Sequence, residues 1–355
     1  MFGKKSETPT EQDVLAALKG VKDPEIHRDL VELGMIKAIQ VDGDTISLTV
    51  NLTTPACPLK AQIEREVREA LAAHFGGTYK FLIQMSAEVR GKAIKEKGDI
   101  PGVKNVIAVG SGKGGVGKST LAAAIAYGLQ AYGAKVGLMD ADVYGPSIPH
   151  LTGATGRPMA QGERIQPIEA DGLKIISIGL LVEPDRAVIM RGPMLHGIIQ
   201  QFLHQVEWGQ LDYLVIDLPP GTGDVPLSLA QALPLTGAVV VCTPQEVALL
   251  DARRAVAMFN QLKVPILGVV ENMTGEMFGK GGVQAMAQAS NLPYLGDVPL
   301  TVDIRKAGDA GKIKSALGPD SPARPYLLGI VEKLAAQISI QNIKAPKMPK
   351  LEILN

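Results

Sequence analysis

Between residues 106 and 132 a short apolar run, a glycine-rich turn and a helix-forming run follow one another, and few folds accept that succession. The turn reads Gly110-Ser111-Gly112-Lys113-Gly114-Gly115-Val116-Gly117-Lys118-Ser119-Thr120, and its residues 112–119 satisfy the pattern GxxxxGK[ST] in full. Glycines let such a backbone curl until its N–H groups point inward at phosphate oxygens, and the helix that follows adds the positive end of its dipole. Gly112, Gly114, Gly115, Val116, Gly117 and Thr120 are therefore expected to cradle the phosphates of a nucleoside triphosphate. Lys118 is expected to reach the terminal phosphates and the Ser119 hydroxyl to ligate Mg²⁺. Lys113 is a second lysine inside the loop and cannot easily fold back onto its own phosphates, so it is expected to reach the nucleotide of a facing subunit.

The rest of the C-terminal part agrees with that start. Residues 106–109, 136–139, 213–216, 238–242 and 266–270 are apolar without alternation, with helical stretches such as 119–132 and 247–262 between them. Strands of that kind are buried on both faces, which predicts an α/β fold with a doubly wound, mostly parallel sheet. Ligands in such sheets sit beyond the carboxyl ends of the strands. There the sequence places Asp140 and Asp142, in Asp140-Ala141-Asp142-Val143-Tyr144-Gly145-Pro146-Ser147, and Asp217, in Asp217-Leu218-Pro219-Pro220-Gly221-Thr222-Gly223-Asp224. A carboxylate at these points can orient the attacking water or serve hydrated Mg²⁺. Asn272, after the run 266–270, carries an amide able to pair with a purine edge. No Asn-Lys-x-Asp run follows, which favours adenine.

Residues 8–95 form a different, smaller α+β part. Two strands at 35–41 and 45–51 are joined through Asp42-Gly43, a hairpin signal. A helix over 59–75 carries Leu59, Ile63, Val67, Leu71 and Phe75 on one stripe, and a further strand covers 81–85. Asp23-Pro24-Glu25 suits a helix or turn start. The polar, Gly/Pro-bearing stretch 96–103 suits a linker to a second domain over 104–340, with a tail at 341–355.

Composition narrows the function. Charged residues balance to a formal net charge of +0, unlike a protein built to coat nucleic acid. No run approaches the roughly 20 apolar residues of a membrane helix, and the start has no apolar signal core, so a cytoplasmic protein without membrane or nucleic-acid partners is expected. Cys57 and Cys242 cannot make a disulfide framework. Cys57, between Pro55 and Pro58 just before a helix, is either a readily available thiolate, which the resemblance given below would turn to an iron–sulfur cluster, or a small residue filling a tight turn. Cys242 reads as core filler, and His27, His74, His150, His196 and His204 lack metal-ligand spacing.

The run Gly112-Lys113-Gly114-Gly115-Val116-Gly117-Lys118-Ser119-Thr120, with its extra lysine, resembles the deviant Walker-A ATPases, which include nitrogenase iron protein, MinD and ParA. The two strand-end segments, together with 21–25, 33–36 and 54–58 in the N-terminal part, resemble the Mrp/ApbC-type iron–sulfur cluster carriers with their MIP18-like N-terminal domain. The resemblance implies a P-loop NTPase fold and an ATP-hydrolysing homodimer that transfers iron–sulfur clusters to apoprotein clients or works with assembly factors. It implies Lys113 acting across the dimer, Lys118 within the subunit, Ser119 and Asp217 at Mg²⁺, Asp142 on the hydrolytic water and Asp224 in a second switch. One departure stands out: the Cys-x-x-Cys that many members carry after the Glu-Asn-Met stretch is absent from 271–282. That leaves two other functions open, a MinD/ParA-like positioning switch and an ATP-gated client-binding module. Pro346 and Pro349 would break a lipid-binding helix in the tail.

Overall fold

The computed structural model describes residues 8–91, 98–182 and 192–344, and its contacts divide the chain into two units, Met1–Arg90 and Gly91–Asn355. In the first unit, α1 (Glu11–Leu18) starts on a capping box in which Thr10 and Asp13 bond reciprocally. Pro24 opens a turn held by Asp23, whose Oδ1 accepts the N–H groups of Glu25 and Ile26, so the acidic cap starts a turn and no helix. The hairpin β1 (Ile36–Asp42) and β2 (Thr45–Leu52) is antiparallel, and α2 (Lys60–Phe75) crosses over to β3 (Lys80–Ala87), parallel to β2. Ile63, Val67 and Leu71 of the expected stripe are buried, with Val14 and Leu18 of α1 and Ile46, Leu48 and Val50 of β2.

The second unit runs β4 (Val103–Ser111), α3 (Lys118–Ala131), β5 (Val136–Asp140), α4 (Ile148–Thr152), the small hairpin β6 (Ala160–Gln161) and β7 (Arg164–Ile165), then β8 (Ile168–Ala170) and β9 (Leu173–Ser177). It continues with α5 (Gly192–His204), β10 (Leu211–Asp217), α6 (Asp224–Ala232), β11 (Gly237–Cys242), α7 (Glu246–Gln261), β12 (Ile266–Thr274), α8 (Gly282–Ala289), β13 (Tyr294–Pro299), α9 (Val302–Asp309) and α10 (Arg324–Lys344). Its 8-stranded sheet has the order β13-β12-β11-β4-β10-β5-β9-β8 and is parallel throughout except for the edge pair β8–β9. All residues of β5 and β11 are buried, as an apolar run without alternation requires.

Two boundaries differ from the sequence expectation. The stretch 96–103 overlaps β4, which takes up Val103 through a parallel pairing with Leu211; residues 96–97 lie outside the described residues. α10 continues to Lys344, past the expected domain end at 340, and beyond that point the Asn342 amide donates to the Asn105 side-chain oxygen. The tail residues Pro346, Lys347, Pro349 and Lys350, and Arg191, lie outside the described residues. No helix among the described residues is long and apolar enough to cross a membrane.

Candidate functional site: a phosphate loop with converging carboxylates

The loop between β4 and α3 leaves the sheet where its topology reverses, with β10 on one side of β4 and β11 on the other. Gly115 (φ 79) and Gly117 (φ 81) lie in the left-handed region, and Gly117 is the N-cap of α3. At Gly112 a side chain has no room: a Cβ would stand 2.1 Å from the Asp251 carbonyl oxygen on α7. Hydrogen bonds pin the curl from both ends. The Ser111 hydroxyl donates to the Lys113 carbonyl (2.9 Å), the Gly221 N–H donates to the Ser111 carbonyl (2.9 Å), and the Asn272 amide donates to the Val116 carbonyl (2.8 Å).

Lys118, the first residue of α3, is buried at 6% exposure. Its Nζ lies 2.7 Å from Asp217 Oδ1, 3.6 Å from Asp142 Oδ2 and 3.1 Å from the Ser119 hydroxyl. These four side chains come from two strand ends and one helix start, and their meeting is what the strand-end rule predicts. Asp217 is fully buried, and burial raises its carboxyl above the usual carboxylate range; the Lys118 charge and the Ser119 hydroxyl pull it back down, and the Asp142 charge adds to the rise. Asp217 Oδ2 is buried without a hydrogen-bond partner among the described residues. An orphaned anionic oxygen near a hydroxyl is a hard-oxygen set that fits Mg²⁺.

The two acids after β5 separate in role. Asp140 is fully buried and accepts three hydrogen bonds: from the Asp142 N–H (3.1 Å), the Ile148 N–H (3.2 Å) and the Ser177 hydroxyl (3.0 Å). Burial, then the Asp217 charge, pushes its carboxyl up to about 8. Asp140 thus shapes the segment, and Asp142 is the acid turned toward Lys118. Asp224 is the first residue of α6, and Lys113 is half-exposed on the loop.

Beside the start of α3 lies a cavity of about 280 Å³, lined by Gly117, Thr120, Asn272, Met273, Pro299 and Leu300 among others, with α4 and α9 closing its far side. The sequence reading missed this cavity, because 294–309 had not been resolved into β13 and α9. Pro299 and the N-cap Thr301, whose hydroxyl accepts the Ile304 N–H, were the available signals. Asn272 lines this cavity, and its amide nitrogen donates to the loop backbone, where it braces Val116. Glu271 also went unnoticed. It is fully buried and accepts the N–H groups of Gly281 and Val283 and the Tyr294 hydroxyl, so it fixes the start of α8.

The cysteines are in no disulfide. Cys242 is buried on β11 and burial raises its thiol to about 12, the behaviour of core filler. Cys57 is half-buried, two residues ahead of Leu59, the N-cap of α2. No group of three His, Cys, Asp or Glu side chains among the described residues could hold a metal ion.

A family profile described as the NUBPL iron-transfer P-loop NTPase matches residues 102–335, about two thirds of the chain. The chain belongs to the iron-transfer P-loop NTPases. A second profile, described as an iron–sulfur cluster assembly protein, matches residues 11–78 within the first unit. The chain is 49% identical over 342 residues to the iron–sulfur cluster carrier protein of Deinococcus radiodurans, covering 93% of this chain and 96% of that protein. It is 44% identical over 348 residues to the carrier of the same name from Synechocystis, covering 93% and 98%. Among solved structures it is similar to a nucleotide-binding protein in complex with ADP from Archaeoglobus fulgidus, at 38% identity and a TM-score of 0.55, covering 62% of this chain and 90% of that one. In this chain the segment matching the iron–sulfur assembly profile precedes the one matching the P-loop NTPase profile.

Proposed function

We propose that this protein is a homodimeric Mg·ATP-hydrolysing carrier that binds an iron–sulfur cluster as cargo and passes it to apoproteins in the cytoplasm. The observation that carries the reading is the convergence of Lys118, Ser119, Asp142 and Asp217 at the mouth of the glycine loop, beside a cavity suited to a nucleobase. Carrier relatives at 49% and 44% identity support the cargo.

The chemistry follows from the residues. Arriving phosphates compete with Asp217 for Lys118, and the loop N–H groups hold them in line. Ser119 and Asp217 would hold Mg²⁺, which when bound supplies charge neutralisation between the phosphates. Asp142 accepts a hydrogen bond from the attacking water and orients it toward the terminal phosphorus. Lys113 from a facing copy neutralises charge as the phosphate departs. The segment Gly221-Thr222-Gly223-Asp224, tied to the loop through Gly221, moves when that phosphate leaves.

Soft thiolates are the usual ligands of a cluster. The segment 271–282 offers none, and Cys242 is buried, so Cys57 from each of two copies is the thiol available to the cargo. Two measurements test the proposal. Asp142→Ala is expected to retain ATP binding while phosphate release falls roughly 100-fold; undiminished release refutes the assignment of the water-orienting group. Anaerobic incubation with iron and sulfide is expected to load the wild type but not Cys57→Ala, and equal loading of the two removes Cys57 from the cargo site.

A further inference from the structure

β9 lies beside β5, and their parallel register puts Ser177 opposite Asp140. Ser177 is fully buried. Its hydroxyl accepts the Gly179 N–H (3.0 Å), which leaves its one proton to be donated to Asp140 Oδ2 (3.0 Å). The same carboxylate clasps both ends of the segment that carries Asp142: Oδ1 accepts the Asp142 N–H (3.1 Å) and Oδ2 the Ile148 N–H (3.2 Å). The turn Ile178–Leu180, which Ser177 caps, stands against that segment too, since a Cβ on Gly179 would come within 3.1 Å of the Pro146 side chain.

Asp140 and its two N–H donors belong to one stretch of chain, 140–148. The last torsion of an aspartate is soft and roughly two-fold, so those two contacts alone let the carboxylate turn together with the loop. Ser177 is the donor that comes from another strand. It ties the clasp to the sheet, and with the clasp the backbone from which Asp142 reaches toward Lys118.

We propose that Ser177 is a positioning residue for hydrolysis: through Asp140 it holds Asp142 where that carboxylate orients the attacking water. The inference rests on the water-orienting role proposed for Asp142. A misplacement of about 1 Å at a reacting group costs up to roughly 100-fold in rate, so loosening one contact of the clasp is expected to cost about tenfold.

Release of radiolabelled phosphate from Mg·ATP by the full chain tests it. The variants are Ser177→Ala, Ser177→Cys, Asp142→Ala and the double variant Ser177→Ala/Asp142→Ala. Cysteine fills the space of the hydroxyl but donates weakly, so it separates a lost hydrogen bond from a lost atom. Both single Ser177 variants are expected to lose about tenfold in kcat with KM within about twofold of wild type. The double variant is expected to match Asp142→Ala within about twofold, because a residue that acts through Asp142 then has nothing left to position. A kcat within about twofold of wild type in either Ser177 variant, a loss that falls on KM, or a further drop of about tenfold in the double variant overturns the proposal. If Asp142→Ala releases phosphate like wild type, the reading of Asp142 fails and takes this inference with it. If Asp142→Ala is slow and Ser177→Ala is not, the inference alone fails.

Discussion

Gly117→Ala should damage the loop in a way that can be worked from two numbers. Gly117 has φ 81, and a Cβ there would stand 2.2 Å from the Asn272 amide nitrogen, a separation real atoms do not adopt. The left-handed conformation costs an alanine about 1–2 kcal/mol. The Asn272 amide must also withdraw from the Val116 carbonyl, which it bonds at 2.8 Å in a buried setting. Losing that bond and stranding a buried carbonyl costs about 1–3 kcal/mol more. The sum, about 2–5 kcal/mol, is a large part of a domain's stability. Gly115→Ala is the control: φ is 79, yet nothing stands within 4 Å of its Cβ position, so only the conformational cost applies. Chemical denaturation should therefore rank Gly117→Ala below Gly115→Ala by about 1–3 kcal/mol, and the gap should close in an Asn272→Ala background. Equal effects of the two glycine substitutions, or a gap that survives Asn272→Ala, would refute the role of Asn272 as a loop brace.

Other consequences follow from burial. Asp140 has its carboxyl raised from 3.8 to about 8, so the folded state favours its protonated form. That stabilising contribution is complete below about pH 4 and is lost as pH rises through about 8; Asp140→Asn should flatten the fall in Tm across this range, and an unchanged slope contradicts the assignment. Cys242 is buried with its thiol pushed up to about 12, whereas Cys57 is half-buried, so native-state alkylation followed by mass spectrometry should add one label, on Cys57. Rapid labelling of Cys242 would contradict the burial of β11.

Much of the nucleotide unit was legible because its signals are local and redundant. The loop residues 112–119 fix a strand before and a helix after, and the non-alternating runs at 136–139 and 213–216 place Asp142 and Asp217 at strand ends. Both then meet Lys118 without any further assumption. Long-range pairing was not legible. Nothing local at Asn272 announces that its amide will reach a carbonyl at Val116, and a β-bulge at Met273 appears only once β13 is paired. The edge strand β8 also escaped: Ile168–Ala170 has three residues, too few for a period to register. Glu271 reads in sequence as a polar strand end, while its burial depends on N–H groups donated from ten or more residues away.

The central claim, that the loop grips a triphosphate through Lys118, is tested most directly by calorimetric titration of Mg·ATP into wild type and Lys118→Ala. Alanine removes a charged donor to the phosphates, which is worth about 1.5–3 kcal/mol. It also leaves Asp217 and Asp142 without their cation, facing an anionic ligand. The expected result is saturable binding by wild type and a loss of at least about tenfold in the variant. Binding of Mg·ATP by Lys118→Ala with wild-type affinity would contradict it.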